Sequence, residues 1–242
     1  GRDGSSIHKM LDEQVAAVLI NHVDYRSGTL RDMENLTRQV QEFGGLAVWD
    51  LSHSAGIFPV QLNRCRVDFA VGCTYKYLNG GPGAPAYLYA ASRHHAACNQ
   101  PLSGWFGHAR PFDFERHFDP DSGIRRFVCG TQPILSLRAL QSGLEIYQDV
   151  SLQQVREKSM ALTDLFIKLL KNECAAWELE IISPEDALQR GSQVAVSHPQ
   201  GYAVMQALIS RGVIGDFRAP NLMRFGFAPL FLRYQDIHDA VK

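Results

Sequence analysis

The chain has 242 residues, of which 45% are hydrophobic and 20% are charged, and its formal net charge at pH 7 is −1. This composition is typical of a globular protein, and the balanced charge argues against nucleic acid or an anionic membrane surface as a partner. No apolar stretch reaches the roughly 20 residues of a membrane-spanning helix. The five cysteines lack paired spacing, so we expect reduced thiols in the cytoplasm, and the histidines show no spacing typical of a metal site.

The first ninety or so residues predict a mainly parallel sheet. A short helix is expected at 7–14, and Asp32 is suited to cap a longer helix at 32–43 that ends at the following glycines. The expected strands are the short apolar runs at 15–20, 46–49, 67–73 and 86–90. Because strands alternate with connecting segments that contain helices, the pattern is typical of βαβ units.

Beyond residue 90 the pattern changes. An aromatic stretch rich in glycine and proline, residues 103–123, lacks periodicity and is typical of a functional loop. A long amphipathic helix is expected from Ile134 to about Lys171, with a break near Asp149. Short strands around a helix at 201–211 then predict an α+β unit. We therefore divide the chain into two parts, residues 1–133 and 134–242.

Two charged residues, Asp50 and Lys76, each follow an apolar strand. Ligands of open α/β sheets bind beyond the carboxyl ends of the strands, so both side chains are predicted to face one crevice. A lysine and an aspartate around one ligand suit pyridoxal phosphate, whose aldehyde forms a Schiff base with lysine and whose pyridine nitrogen pairs with a carboxylate. Solvent exposure of Lys76 and helix capping by Asp50 are the ordinary alternatives.

Two neighbours of this pair are further candidates. His53 is predicted to contact the cofactor ring, with simple packing as the alternative. Tyr75 precedes Lys76, and a phenol there can bind a phosphate or donate a proton, with core packing as the alternative. These residues extend the predicted site along both strand ends.

Five segments together resemble the kynureninase family, in order and over nearly the whole chain: WDLSHSAG, DFAVGCTYKYLNGGPG, GWFGH, FVCGTQPILSL and MRFGFAPL. The family consists of pyridoxal phosphate hydrolases of fold type I, related to class V aminotransferases. The resemblance implies an α/β fold in which residues 1–133 are the C-terminal part of the mainly parallel, cofactor-binding large domain. Residues 134–242 are then the long helix and a small α+β domain.

The resemblance also implies an activity. This is the hydrolytic Cβ–Cγ cleavage of L-kynurenine, or of 3-hydroxykynurenine, to anthranilate, or 3-hydroxyanthranilate, and L-alanine. Such a reaction belongs to tryptophan catabolism and NAD biosynthesis. The matching residues imply that Lys76 is the Schiff-base lysine and Asp50 the partner of the pyridine nitrogen. His53 and Tyr75 would line the cofactor, with Tyr75 near the phosphate and as the proton donor in the cleavage.

Three further residues gain their roles from the resemblance alone. Trp105 and Thr131 match residues that reach the phosphate from the neighbouring subunit, which implies a homodimer with a shared site. Arg224 matches the arginine that binds the α-carboxylate of the substrate. The family's first third should supply a phosphate-binding turn, an aromatic residue on the ring and a second acidic residue. We expect this N-terminal part to be missing from the chain rather than lost by the protein.

Two alternatives stay open. The first is another fold type I enzyme, such as a cysteine desulfurase or a class V aminotransferase, because RFVCGTQP also resembles their phosphate-binding element. Its reactive cysteine would be Cys98, since Cys129 is expected to be structural. The second is a non-catalytic, truncated homologue. The preference between kynurenine and its 3-hydroxy form depends partly on residues that we expect outside the chain.

Overall fold

The computed structural model describes residues 7–242, which contain two four-stranded sheets. The strands of the first sheet lie side by side in chain order: β1 (Ala17–Asn21), β2 (Leu46–Asp50), β3 (Phe69–Cys73) and β4 (Ala86–Ala90). The first three are parallel and β4 is antiparallel to β3. The predicted mainly parallel α/β architecture is therefore confirmed, and the carboxyl ends of three strands share one edge.

The first long helix, α1 (Met33–Glu42), lies where the sequence predicts it. The Asp32 side chain accepts a hydrogen bond from the Asn35 backbone at 3.0 Å, and Gly44 adopts a φ of 79° just beyond the end of the helix. Its apolar face packs on the sheet against Trp49, which is fully buried. The N-terminal cap, the apolar face and the terminating glycine all indicate the same helix, which explains why its bounds could be predicted.

Three predicted features near the first sheet differ from the structure. The helix expected at 7–14 is wrong, because only a 3-10 turn forms at His8–Met10. Leu11 then adopts an extended backbone and its side chain enters the core of the first sheet. The first strand begins at Ala17 rather than at residue 15. Between β2 and β3 the chain forms turns and no helix.

The second sheet is antiparallel throughout. Its strands follow the spatial order β5-β6-β8-β7, and their bounds are β5 (Glu180–Ile181), β6 (Gln193–Ser197), β7 (Asp216–Arg218) and β8 (Leu222–Gly226). The predicted helix between them is α4 (Gly201–Ser210). The sequence did not predict β7 or the last helix, α5 (Tyr234–Val241), because both are short and β7 has no readable periodicity.

The long helix between the sheets is interrupted as predicted. It consists of α2 (Ile134–Glu145), a 3-10 turn at Ile146–Asp149, and α3 (Leu152–Glu173). Ser151 and Gln154 form a reciprocal capping box that starts α3. The apolar face of α3 packs on the second sheet, whereas α2 buries no side chain in the chain described.

Hydrogen bonds join the two sheets near the carboxyl ends of the parallel strands. The Tyr77 hydroxyl donates to the Ser192 carbonyl at 2.8 Å. The Gln193 side-chain amide donates to the carbonyls of Asp24 and Tyr25, at 3.2 and 3.1 Å. The loops after β1 and β3 are therefore fixed to the start of β6. Over residues 7–242, no helix combines the length and the apolar character that crossing a membrane would require.

The Asp24 carboxylate organises the loop after β1. Its side chain is 8% exposed and accepts hydrogen bonds from the backbone of Arg26 and Ser27 and from the Arg31 guanidinium. Burial alone would raise the pKa of Asp24, but these donors outweigh it and lower the pKa to about 2. The folded loop therefore stabilises the ionised form of the Asp24 carboxylate.

We expect the free energy of unfolding to fall as the pH drops from about 4 to about 2. Because the folded-state pKa of Asp24 lies below the unfolded value, its contribution of about 2 kcal/mol is present above pH 4 and lost below it. Urea unfolding of Asp24→Asn should show a similar loss at pH 7 and a flatter acid limb. The exposed Asp239 supplies the control, Asp239→Asn. Equal acid limbs in the unmodified protein and Asp24→Asn would contradict the assignment.

Candidate active site

Asp50 lies at the carboxyl end of β2, where its carboxylate is held by neighbouring groups. Asn21, its partner in β1, donates a side-chain amide hydrogen to Oδ2 at 3.0 Å, and the Ser52 backbone N–H donates to Oδ1 at 2.8 Å. A carboxylate oxygen can accept more than one hydrogen bond, so both oxygens keep free acceptor positions. The carboxylate is oriented and can bind a further donor.

His53 lies among the charged groups of the site. Its pKa is lowered to about 4, first by burial and then by the positive charges of Lys76 and Arg224, whereas the charges of Asp50 and Asp216 oppose this shift. All four charges therefore act on one imidazole. The structure thus brings together four of the residues that the sequence predicts for the site, from the ends of β2 and β3 and from the second sheet.

Lys76 follows β3 and carries a free primary amine. Its Nζ atom lies 5.5 Å from the centroid of the Tyr75 ring, and within residues 7–242 it has no hydrogen-bond partner. The next residue, Tyr77, is fixed to the second sheet through Ser192. The lysine is thus held by its backbone, and its amine is available for covalent chemistry.

Tyr75 is 52% exposed, so the core-packing alternative is wrong. Interaction with the Cys73 thiol is the largest cause that raises the pKa of the phenol, followed by burial and the negative charge of Asp50. The phenol is therefore protonated at neutral pH. It lies near Asp50 and Lys76 and can donate its proton.

Arg224 lies in β8, a central strand of the second sheet, and its side chain is 12% exposed. Its Nε donates to Asp216 Oδ1 at 2.7 Å, its Nη2 donates to Asp216 Oδ2, and its Nη1 donates to the Tyr25 carbonyl. The guanidinium therefore stands at the junction of the two sheets, beside the loop after β1. This position suits the binding of a carboxylate.

Trp105 and Thr131 lie in another part of the chain. Trp105 is 42% exposed in a short 3-10 turn, and Thr131 is also exposed. Their segments pack together, since a side chain at Gly104 would collide with the Cys129 carbonyl. Within the described chain, neither residue has a hydrogen bond or a ring contact with the groups around His53. Their role across a subunit boundary stays a prediction.

Comparison with known proteins shows what the chain is similar to. A family model described as "Kynureninase C-terminal domain" matches residues 155–242. The kynureninase of Burkholderia mallei (strain SAVP1) is 50% identical over 240 residues, which are 99% of this chain and 58% of that relative. The chain is similar to kynureninases over nearly its whole length. It spans a little over half the length of the curated relative that it matches.

Solved structures show the same fold at low identity. A cysteine desulfurase from Thermococcus onnurineus NA1 matches with a TM-score of 0.83 and 17% identity, over 100% of this chain and 62% of that one. A mutant of the cystine C-S lyase C-DES, described with glycine covalently linked to its PLP cofactor, matches with a TM-score of 0.85, again at 17% identity, over 100% of this chain and 63% of that one. The chain thus shares its mixed α/β fold with these enzymes.

Two site residues were not predicted from the sequence. Asn21 occupies the end of β1 beside Asp50, and the polar NHVD segment after an apolar strand was a usable signal. Asp216 lies in the three-residue strand β7, whose sequence gives no such signal. Both hold a predicted residue in place, and neither could be assigned a role without its partner.

The cysteines, and the side chains that could bind a metal ion, bear on the alternative functions. Cys129 is exposed, so the expectation that it is structural is wrong, and Cys98 is partly buried. Throughout residues 7–242, no group of three or more histidine, cysteine or acidic side chains is arranged to hold a metal ion.

The histidine supplies a direct test of this arrangement. We expect the His53 imidazole to titrate with a midpoint at a pH of about 4 in an NMR titration. Lys76→Met should raise the midpoint, because it removes a nearby positive charge, but not to the ordinary value, because burial is the larger cause. The exposed Lys168 gives the control Lys168→Met, which should change nothing. A midpoint near 6.5 in the unmodified protein would contradict this environment.

Proposed function

We propose that the chain is part of a pyridoxal phosphate-dependent hydrolase that cleaves the Cβ–Cγ bond of L-kynurenine or 3-hydroxykynurenine. The products would be anthranilate or 3-hydroxyanthranilate and L-alanine, in tryptophan catabolism and NAD biosynthesis. The observation that carries the proposal is the convergence of Asp50, Lys76 and Arg224 on His53 in a chain half identical to a curated kynureninase.

The donors and acceptors of the site fit the proposed cofactor. Asp50 keeps acceptor positions for a protonated pyridine nitrogen, and Lys76 has a primary amine for the aldehyde carbon. His53 is neutral at pH 7, so it adds no positive charge beside the ring. When bound, the cofactor supplies an electron sink beside the α-carbon of the substrate. The PLP cofactor described for the C-DES mutant, which has the same fold, supports this assignment.

The residues of the chain would bind the substrate and transfer protons. Arg224 would bind the α-carboxylate and orient the substrate, which raises the effective concentration of the reacting groups. The Lys76 amine is the base for the proton on the α-carbon. Water adds to the γ-carbonyl and ends in the carboxyl group of anthranilate, while the Tyr75 hydroxyl donates a proton to the β-carbon that becomes the methyl group of alanine.

We also propose a cytoplasmic homodimer. Helix α2 buries no side chain within the described chain, and Leu135 is 87% and Ile134 59% exposed. Apolar side chains on one exposed helix are typical of an interface. A second copy of the chain is the proposed partner, and its Trp105 and Thr131 would approach the phosphate group. The five free cysteines fit a reducing compartment.

A cysteine desulfurase is the second candidate function, because a desulfurase shares the fold at a TM-score of 0.83. Such an enzyme needs a reactive cysteine, and the exposed Cys129 is available in addition to Cys98. Anthranilate fluorescence from kynurenine supports the first proposal, and sulfide release from cysteine supports the second. A protein that binds the cofactor and yields neither product would be a non-catalytic homologue.

Lys76→Ala is expected to remove the visible absorbance band of lysine-linked cofactor, because alanine has no amine. Loss of proton transfer alone should lower kynurenine cleavage by roughly 10²–10⁴-fold. The absorbance spectrum and the protein mass after borohydride reduction measure the linkage. Lys168→Ala changes an exposed lysine on α3 and should leave both unchanged. An unaltered spectrum in Lys76→Ala would exclude Lys76 as the attachment site.

Leu135→Arg is expected to shift the protein from dimer to monomer, because it places an unpaired charge in the proposed interface. The fold should persist, since Leu135 is exposed in the single chain. Light scattering after size-exclusion chromatography gives the mass, and circular dichroism checks the helix content. The control is Leu188→Arg, at a leucine that is 72% exposed in the 3-10 turn at Ala187–Gln189. A dimer that survives Leu135→Arg would place the interface elsewhere.

A further inference from the structure

Asp216 lies directly across from Arg224, in the neighbouring strand. The register pairs these two residues in β7 and β8, so their side chains lie on the same face of the sheet. Both carboxylate oxygens accept hydrogen bonds from the guanidinium, one from Nε at 2.7 Å and one from Nη2. The pairing is bidentate and involves a side chain that is 12% exposed, so it fixes the plane of the guanidinium.

The remaining donors of Arg224 match a carboxylate. A guanidinium has five N–H groups. Asp216 takes one on Nε and one on Nη2, and the Tyr25 carbonyl takes one on Nη1. Among residues 7–242, no further partner accepts from Arg224, so one N–H group is left on each terminal nitrogen. Two parallel donors on adjacent nitrogens are what a substrate carboxylate accepts in a bidentate pair.

The backbone beside Asp216 is also adapted to this contact. A side chain at Gly215 would come within 2.9 Å of the Arg224 carbonyl and 2.7 Å of the Met205 side chain. Glycine therefore permits β7 to lie close to β8 at this point. The short strand is thereby placed so that its carboxylate reaches the guanidinium edge-on.

We infer that Asp216 is a positioning residue that holds the Arg224 guanidinium so that its two free terminal N–H groups face the substrate carboxylate. The inference deepens the proposed function, because it rests on Arg224 as the carboxylate ligand. Asp216 itself does not touch the reacting atoms. The opposite role, a carboxylate that occupies Arg224 and competes with the substrate, would make ligands bind more tightly once Asp216 is removed.

The test compares Asp216→Asn with a variant of a second arginine on the same carboxylate. Asp216→Asn keeps the shape of the side chain but removes one acceptor and the charge. Arg218 also donates to Asp216, at 3.2 Å, but its side chain is 50% exposed, so the pair contributes little. Arg218→Ala therefore leaves the contact between Asp216 and Arg224 in place and is the matched control.

The probe is propionate, which has the carboxylate and the carbon chain of alanine without the amine, so its binding needs no covalent link to a cofactor. NMR titration of the Arg224 Nε–H signal gives its Kd. We expect Asp216→Asn to weaken binding about tenfold, Asp216→Glu to recover part of the affinity, and Arg218→Ala to match the unmodified protein. In an Arg224→Ala background, where propionate binding is followed by saturation-transfer NMR, Asp216→Asn should cause no further loss.

Kinetics with kynurenine separate the two proposals. If the proposed function holds, Asp216→Asn should raise KM about tenfold and change kcat little, because the lost contact serves the bound substrate and the transition state alike. If the unmodified protein does not cleave kynurenine, the proposed function fails while the propionate Kd still decides the role of Asp216. Unchanged or tighter propionate binding in Asp216→Asn would overturn the inference, whichever substrate the protein accepts.

Discussion

The hydrogen bonds between the two sheets are the constraint on which the candidate site depends. Lys76 and Arg224 belong to different sheets, and the Tyr77 hydroxyl connects those sheets by donating to the Ser192 carbonyl. Burial raises the pKa of Tyr77, so the hydroxyl keeps its proton and remains a donor over the physiological pH range. The Gln193 amide makes the second connection, to the loop after β1. Without these contacts each sheet would retain its core but present only part of the site.

The charges around His53 form a balanced set. Two cations, Lys76 and Arg224, and two carboxylates, Asp50 and Asp216, act on an imidazole that burial keeps neutral. Each carboxylate is tied to fixed donors, Asp50 by Asn21 and a backbone amide and Asp216 by Arg224. Such preorganised charges need little rearrangement when a ligand arrives, which is the condition for strong electrostatic stabilisation in a site.

Much of the fold could be read from the sequence, and the reasons are local. The helix α1 has its cap, its apolar face and its glycine stop within one continuous segment, and β2 and β3 are uninterrupted apolar runs. The site was readable where a charge follows such a run, as at Asp50 and Lys76. It was not readable at Asp216, because its strand is only three residues long and its role depends on a partner across the sheet. The prediction of a helix at 7–14 was wrong because Leu11 has an extended backbone and its side chain packs in the core.

The attachment of Tyr77 to Ser192 has a mechanical consequence. Because Tyr77 adjoins Lys76 in the chain, the backbone of the lysine is tied to the second sheet as well as to its own strand. A rigid-body rotation of the second sheet would therefore carry Arg224 and pull on the base of Lys76 together, while Asp50 stayed with the first sheet. The cleft would widen mainly between the carboxylate at the end of β2 and the two cations. The two cations would therefore keep their mutual spacing while the cleft opens and closes.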